Sequence, residues 1–128
     1  MVHIFAFERL DVWQKARSFV REIYNITTNF FPQQERYALA QQLQRAAISI
    51  VSNIAEGTSR SSLKEQCRFT EVAYGSLMEV YCQLIIAKDL NYINEEQLET
   101  VKQYISLISN QLNALRNSQL KRLQQLNN

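Results

Sequence analysis

Hydrophobic residues recur every three or four positions over four long stretches of the chain, which is the spacing of amphipathic helices. The stretches predict helices at about residues 9–30, 33–56, 62–89 and 94–117. Pro32 separates the first two helices, because proline fixes its own φ and pushes the preceding residue out of helical geometry. Four helices of this length with short connections predict an all-α fold, an antiparallel up-down-up-down four-helix bundle.

Local signals mark the predicted helix ends. Gly57 follows the second helix, where a glycine commonly adopts the left-handed cap conformation. Ser62 with Glu65, and Asn94 with Gln97, have the spacing of capping boxes. These pairs predict the starts of the third and fourth helices.

The chain reads as a single domain spanning residues 1–128, because no internal repeat or linker divides it. Trp13 lies on the apolar stripe of the first helix and is expected in the bundle core. The tail at 118–128 breaks the hydrophobic spacing at Leu120. It therefore either continues the fourth helix beyond the bundle or frays.

The second helix also carries a polar ladder, a row of hydrogen-bonding and charged residues beside its apolar face. The members of this ladder fall within an arc of roughly 80° on a helix. They are Gln42, Arg45, Ser49, Asn53 and Glu56. The third helix carries a matching ladder of Arg68, Glu71, Gly75 and Glu79. We expect the two ladders to pair their charges, Arg45 with Glu71 or Glu79.

Aliphatic residues border both ladders where a surface helix is usually charged; they are Ile48, Val72 and Ile86. In an oligomer such edges become an interface that buries the ladders. Gly75 supports this interpretation, because glycine inside a helix costs about 1 kcal/mol relative to alanine and a close backbone approach would explain it. We therefore predict a homo-oligomer with the ladders at its interface. The alternative is a solvated polar face with a few stray aliphatic residues.

Composition narrows the possible chemistry. The chain has two glycines and a single histidine, His3, so it lacks a glycine-rich phosphate loop, a Glu-x-x-His motif and a Ser–His–acid set. We expect no enzyme activity, no metal site and no cofactor, and we expect Cys67 and Cys82 to be free thiols. The sequence shows neither an apolar run of about 18 residues nor a leader pattern, so a cytoplasmic protein without membrane contact is predicted.

The net charge is only +2, but basic residues cluster along the chain. Residues 100–128 contain no acidic side chain at all. The candidate nucleic-acid-binding residues are Lys15, Arg17, Arg21, Arg60, Lys64, Arg116, Lys121 and Arg122. Repeated in the copies of an oligomer, such clusters would bind the backbone of RNA or DNA with strong salt dependence and little sequence readout.

Several segments also resemble a known family. They are LDVWQKA (10–16), FFPQQERYALAQQLQRAAISIVSNIAEGTSR (30–60), FTEVAYGSLMEV (69–80) and AKDLNYI (87–93). Together they are similar to the four-helix bundle family encoded in intervening sequences of bacterial 23S ribosomal RNA genes. Gln44 departs from this pattern, because many relatives carry a basic residue there.

The resemblance implies a ring-like homopentamer without enzymatic activity. A relative of the family is the accessory protein of diversity-generating retroelements, a basic pentamer that binds a reverse transcriptase and nucleic acid. The resemblance therefore implies three partners: other copies of the chain, RNA or DNA, and a reverse transcriptase. The alternative is a pentameric protein–protein interaction scaffold with no role in nucleic-acid binding.

Overall fold

The computed structural model describes residues 2–127, and within that range it contains helices and no strand. A short 3-10 helix, Ala6–Arg9, precedes the first long helix, and a second, Gln33–Glu35, follows it. The four long helices are α1 (Asp11–Asn29), α2 (Leu39–Ser59), α3 (Leu63–Asp89) and α4 (Glu95–Leu126). The prediction of an all-α fold with four helices is confirmed.

The core lies between the four helices, and α2 and α3 share the most extensive contact. Its largest fully buried side chains come from all four helices: Phe19, Ile23, Leu43, Ile50, Leu77, Val80, Leu84, Ile108 and Leu112. Ser49 and Ser76 place their hydroxyl oxygens 2.8 Å apart across the α2–α3 seam. Within the same seam the Gln83 side-chain amide donates to Gln42 over 3.2 Å.

The core face of α1 is rotated from the predicted stripe. Trp13 is only partly buried, at the edge of the core, with its ring 4.9 Å from that of Phe7. Val12 and Phe19 are buried instead. The expectation of a core Trp13 is therefore wrong, because α1 faces α4 as well as α2 and its buried face is centred between them.

The second long helix starts later than the pattern predicts, at Leu39 rather than near residue 33. Ala38 precedes it and provides no side-chain cap, but the Glu35 carboxylate accepts a hydrogen bond from the Leu39 N–H at 3.3 Å. The same carboxylate accepts the Tyr92 hydroxyl at 2.6 Å. This hydrogen bond raises the pKa of Tyr92, because it stabilises the protonated phenol. Glu35 therefore ties the start of α2 to the α3–α4 loop.

Gly57 is not a left-handed cap. It lies inside α2, and among residues 2–127 no glycine has a positive φ. A Cβ built on Gly57 would lie 2.9 Å from the Cβ of Phe69. The helix continues to Ser59, so glycine is needed here for the close approach of α2 to α3.

The predicted capping box is complete at the start of α4 and half formed at the start of α3. The Ser62 side chain accepts from the Glu65 N–H at 3.3 Å, but the Glu65 carboxylate pairs with Arg68 instead of the Ser62 backbone. Asn94 and Gln97 exchange side-chain and backbone hydrogen bonds, both at 2.8 Å, in a complete capping box. None of the helices between residues 2 and 127 is long and apolar enough to cross a membrane.

We predict that Gly57→Ala lowers the free energy of unfolding by about 1–3 kcal/mol, because the new methyl group overlaps the Phe69 Cβ and forces α2 away from α3. This cost exceeds the advantage of about 1 kcal/mol that alanine has over glycine in a helix. Urea unfolding followed by circular dichroism measures the change. Ser52→Ala, exposed on α2, is the control and should stay near the wild type. A Gly57→Ala protein more stable than the wild type would contradict the proposed close packing.

Candidate nucleic-acid and self-association surfaces

The α2–α3 turn holds two arginines beside one aromatic ring. The guanidinium carbons of Arg60 and Arg68 lie 4.8 and 5.0 Å from the centre of the Phe69 ring, within cation–π range. The turn is fixed by Gln66, whose side-chain amide donates to the Arg60 carbonyl at 2.8 Å. Lys64 lies exposed on the first turn of α3, between these arginines in the chain. The turn therefore presents three cations in a short stretch.

These cations are only weakly neutralised. Arg60 approaches Glu56 at 3.8 Å and Arg68 approaches Glu65 at 3.2 Å, but all four side chains are largely exposed. Exposed ion pairs of this kind contribute about 0–1 kcal/mol and are screened by salt. A phosphate can therefore compete for these arginines.

The end of α4 lies against the start of α3. The Cys67 thiol is 3.9 Å from the Arg116 carbonyl oxygen, and the buried Thr70 hydroxyl donates to Gln119 at 2.8 Å. Burial raises the pKa of the Cys67 thiol, which keeps it protonated. The predicted tail is thus helical to Leu126 and docked at Gln119. We call the group of cations carried by the α2–α3 turn, the start of α3 and the end of α4 the basic end: Arg60, Lys64, Arg68, Arg116, Lys121 and Arg122.

Arg68 is a member of the basic end that the sequence reasoning assigned to the polar ladder alone. Lys64 and Arg68 are four residues apart on α3 and so lie on the same side of the helix. That spacing was the available signal. Within Arg116, the Nε atom is buried without a hydrogen-bond partner among residues 2–127. Arg116 is therefore more enclosed than the other members.

The three candidate cations of α1 are arranged differently. Lys15 pairs with Asp11 at 3.0 Å, and Asp11 also accepts from Gln111 of α4 at 2.7 Å. The Lys15 hydrogen bond, followed by that of Gln111, lowers the pKa of Asp11. Arg17 lies over the Trp13 ring at 5.5 Å.

On a helix, positions 15 and 17 are about 200° apart, and position 21 lies near position 17. Arg17 and the exposed Arg21 therefore lie on the side of α1 away from Lys15. A shared nucleic-acid surface of the α1 cations with those of the α2–α3 turn and α4 stays a prediction.

Three members of the polar ladder, Gln42, Ser49 and Asn53, form hydrogen bonds at the contact between α2 and α3 within one chain. The Asn53 amide donates to the Ser49 carbonyl at 2.8 Å and to its hydroxyl at 3.0 Å. Gln83, which the sequence reasoning did not single out, is buried and donates to Gln42 and Glu79, each at 3.2 Å. Its position seven residues after Ser76, on the same side of α3, was the available signal.

The outer part of the ladder is exposed in the single chain. Arg45, Glu56, Glu71 and Glu79 are all exposed. The predicted pairing of Arg45 with Glu71 or Glu79 is not formed within residues 2–127, where no carboxylate lies within 4.0 Å of Arg45. Burial of these residues between copies stays a prediction.

Apolar side chains lie exposed beside these charges. Ile48, Val72 and Ile86 are 43%, 41% and 44% exposed. A Cβ on Gly75 would meet no atom within 4 Å, so the close approach expected there is not made inside the chain. We call this surface the α2–α3 face: Arg45, Ile48, Glu71, Val72, Gly75, Glu79 and Ile86.

Residues 2–127 contain no group of three or more His, Cys, Asp and Glu side chains that could hold a metal ion. Cys67 and Cys82 are free, the first buried and the second exposed.

The sequence model for the 23S rRNA-intervening sequence protein matches residues 8–114. The chain belongs to the 23S rRNA-intervening sequence protein family. The family match ends before the last part of α4, which carries Gln119, Lys121 and Arg122. A search of curated proteins finds no match.

The fold is similar to a crystal structure at 1.70 Å of a protein with unknown function from the S23 ribosomal protein family, from Bacteroides thetaiotaomicron VPI-5482. The two chains are 23% identical, with a TM-score of 0.73. The alignment covers 82% of this chain and 97% of the other. At this identity the likeness supports the fold of this family member and carries no information on its activity.

We predict that Thr70→Val destabilises the protein by about 1–3 kcal/mol, because it leaves the buried side-chain oxygen of Gln119 without its donor. The end of α4 should loosen, and trypsin should cut more readily after Lys121 and Arg122. Chemical unfolding and timed proteolysis measure both effects. Thr100→Val is the matched control, because its exposed hydroxyl bonds only within α4. Equal stability of the two variants would show that the tail is not anchored by Thr70.

Proposed function

We propose that this family member is a non-enzymatic protein that binds the backbone of RNA or DNA through its basic end, as part of a ring-like homopentamer. The proposal rests on one observation: Arg60 and Arg68 both lie over the Phe69 ring, near the start of α3. The end of α4, which has no acidic residue, is bound to that part of α3 by the Thr70–Gln119 hydrogen bond. Arg60 follows α2, and Lys64 and Arg68 lie near the start of α3. The ion pairs of Arg60 and Arg68 are exposed and weak, which supports our inference that these cations act as one positively charged patch.

The bundle in this proposal is antiparallel, up-down-up-down. Gln42, Ser49 and Gly57 of α2 face Gln83, Ser76 and Phe69 of α3, so residue numbers rise in one helix as they fall in the other. Along α3 and α4, Lys88 approaches Glu95 at 3.3 Å while Cys67 approaches Arg116. These pairs support the arrangement.

Phosphate binding follows from counterion release. Each phosphate that a cation neutralises releases a condensed counterion, which favours binding at low salt and weakens it as salt rises. A ring of copies would present one basic end per subunit on the same side. Since the basic end lacks a groove-reading helix and a row of stacked aromatics, we expect little sequence preference.

The α2–α3 face is the proposed contact between copies. It exposes three aliphatic side chains around Gly75, together with Arg45 and the carboxylates of Glu71 and Glu79. A neighbouring copy would cover the aliphatic groups and supply the missing counter-charges. The subunit number of five, and a reverse transcriptase as protein partner, come from the family resemblance.

Replacing Arg60, Lys64 and Arg122 together by Gln should weaken binding to a duplex RNA or DNA about equally for all sequences. For DNA, the slope of log K against log salt should become shallower by about 0.9 for each phosphate that the variant no longer neutralises. Fluorescence anisotropy at several salt concentrations measures both quantities. The control is the triple variant of Arg21, Lys88 and Lys102 to Gln, which removes the same charge elsewhere.

Two outcomes would contradict the basic end as the binding surface. The first is equal loss of affinity in both triple variants, which would mean that net charge alone matters. The second is the absence of nucleic-acid binding by the wild type at low salt. That result would favour the protein–protein interaction scaffold.

Gly75→Ala should weaken self-association, because a methyl group at a packed backbone contact forces the copies apart. Light scattering and sedimentation over a range of concentrations measure the assembly. Ser106→Ala, at an exposed position of α4, is the control and should leave the assembly intact. If the α2–α3 face is solvated, Gly75→Ala should instead keep the mass of the wild type and gain about 1 kcal/mol of stability from helix propensity. That outcome would refute the proposed contact.

A further inference from the structure

A cavity of about 520 Å³ lies where α1 turns into α2, in the size range of small-ligand sites. Its lining includes Tyr24 and Thr28 of α1 and Gln44 of α2. Arg36 and Tyr37 of the connecting turn also line it. α2 is 21 residues long, about 32 Å, so this cavity and the basic end lie at opposite ends of the helix.

Arg36 is the one charged residue among those that line the cavity. Its side chain has no carboxylate within 4.0 Å among residues 2–127. The adjacent Glu35 does not line the cavity, because its carboxylate is held by the Leu39 N–H and the Tyr92 hydroxyl. The cavity therefore offers an uncompensated guanidinium, which suits a phosphate.

Flat aromatic surfaces accompany this cation. The Tyr37 ring is 77% exposed, and the Arg36 guanidinium carbon lies 5.5 Å from its centre. The exposed Tyr24 and the buried Phe31 also line the cavity. Exposed tyrosine rings give a planar base a face to stack on, at about 1–3 kcal/mol per base.

Gln44 supplies a preset hydrogen-bonding group. The Thr27 hydroxyl donates to the Ile23 carbonyl at 2.9 Å, so it can only accept from the Gln44 Nε2 atom, at 3.0 Å. This chain of hydrogen bonds fixes which way the Gln44 amide points. Its carbonyl oxygen and second N–H are left to pair with the edge of a base.

We propose that this cavity binds one nucleotide, with the base stacked on Tyr37 and paired to Gln44 and with the phosphate on Arg36. The nucleotide is either free or an unpaired residue of a strand. The site does not depend on the basic end, and its binding free energy comes from one base and one phosphate.

Isothermal titration calorimetry with AMP, CMP and inorganic phosphate tests the free nucleotide. We expect a nucleotide to bind more tightly than phosphate alone. Arg36→Gln should weaken that binding by about tenfold or more, through loss of a charge-assisted hydrogen bond. Lys102→Gln removes an exposed charge from α4 at a position that does not line the cavity, and it should leave the affinity unchanged. Both substituted positions are exposed, so neither variant should lose its fold.

A short oligouridine tests the nucleotide within a strand. It is titrated into the Arg60, Lys64 and Arg122 triple Gln variant, so that binding at the basic end does not mask the cavity. Binding of the strand alone, weakened by adding Arg36→Gln or Tyr37→Ala, assigns the site to an unpaired residue of a nucleic acid. Three results would overturn the proposal. They are no binding in either titration, an affinity that Arg36→Gln leaves unchanged, and phosphate that binds as tightly as the nucleotide.

Discussion

The contact between α2 and α3 determines where the other surfaces of this molecule lie. Gly57 lets the backbone of α2 come close to Phe69, and the serine pair at Ser49 and Ser76 keeps the rest of the seam narrow. The short turn that follows is held by the Gln66 amide, which donates to the Arg60 carbonyl, and Arg60 and Arg68 lie against the same Phe69 ring. The basic end and the α2–α3 face are both consequences of this packing.

Helix number and helix caps were readable in the sequence because they depend on local chemistry. The capping box at Asn94 needs only a side chain and a backbone three residues away. The role of Gly57 could not be predicted from its neighbours in the sequence. A glycine near a helix end has two explanations, a left-handed cap or a close neighbour, and only the position of Phe69 on another helix decides between them. The start of α2 at Leu39 was not predicted for a similar reason. The Leu39 N–H is capped by the Glu35 carboxylate, which also accepts a hydrogen bond from Tyr92 in the distant α3–α4 loop.

The candidate surfaces were predictable in part. The end of α4 lies beside the start of α3 because α4 continues to Leu126 and Gln119 accepts a hydrogen bond from Thr70. A hydrophobic pattern does not predict that contact, because glutamine counts as polar in it even when the side chain is buried. On α1, Arg17 and Arg21 lie on the side away from Lys15, so the three candidate cations of that helix do not share one face. Some ladder residues, such as Ser49 and Asn53, hydrogen-bond within the α2–α3 seam, whereas Arg45 and Glu71 are exposed. Positions on a helical wheel do not predict which residues belong to which group.

The charge distribution of α4 has a consequence for how the molecule approaches a partner. Its first turns carry Glu95, Glu96 and Glu99, whereas its last turns carry Lys121 and Arg122, which complements the dipole of the helix itself. Over 32 residues, about 48 Å, this separation gives α4 a side-chain charge moment along its own axis, directed against the dipole of its backbone. If the proposed nucleic-acid partner is correct, this moment would turn the Lys121 and Arg122 end of α4 toward the polyanion before contact forms. Encounters in that orientation would then be more frequent than in random tumbling.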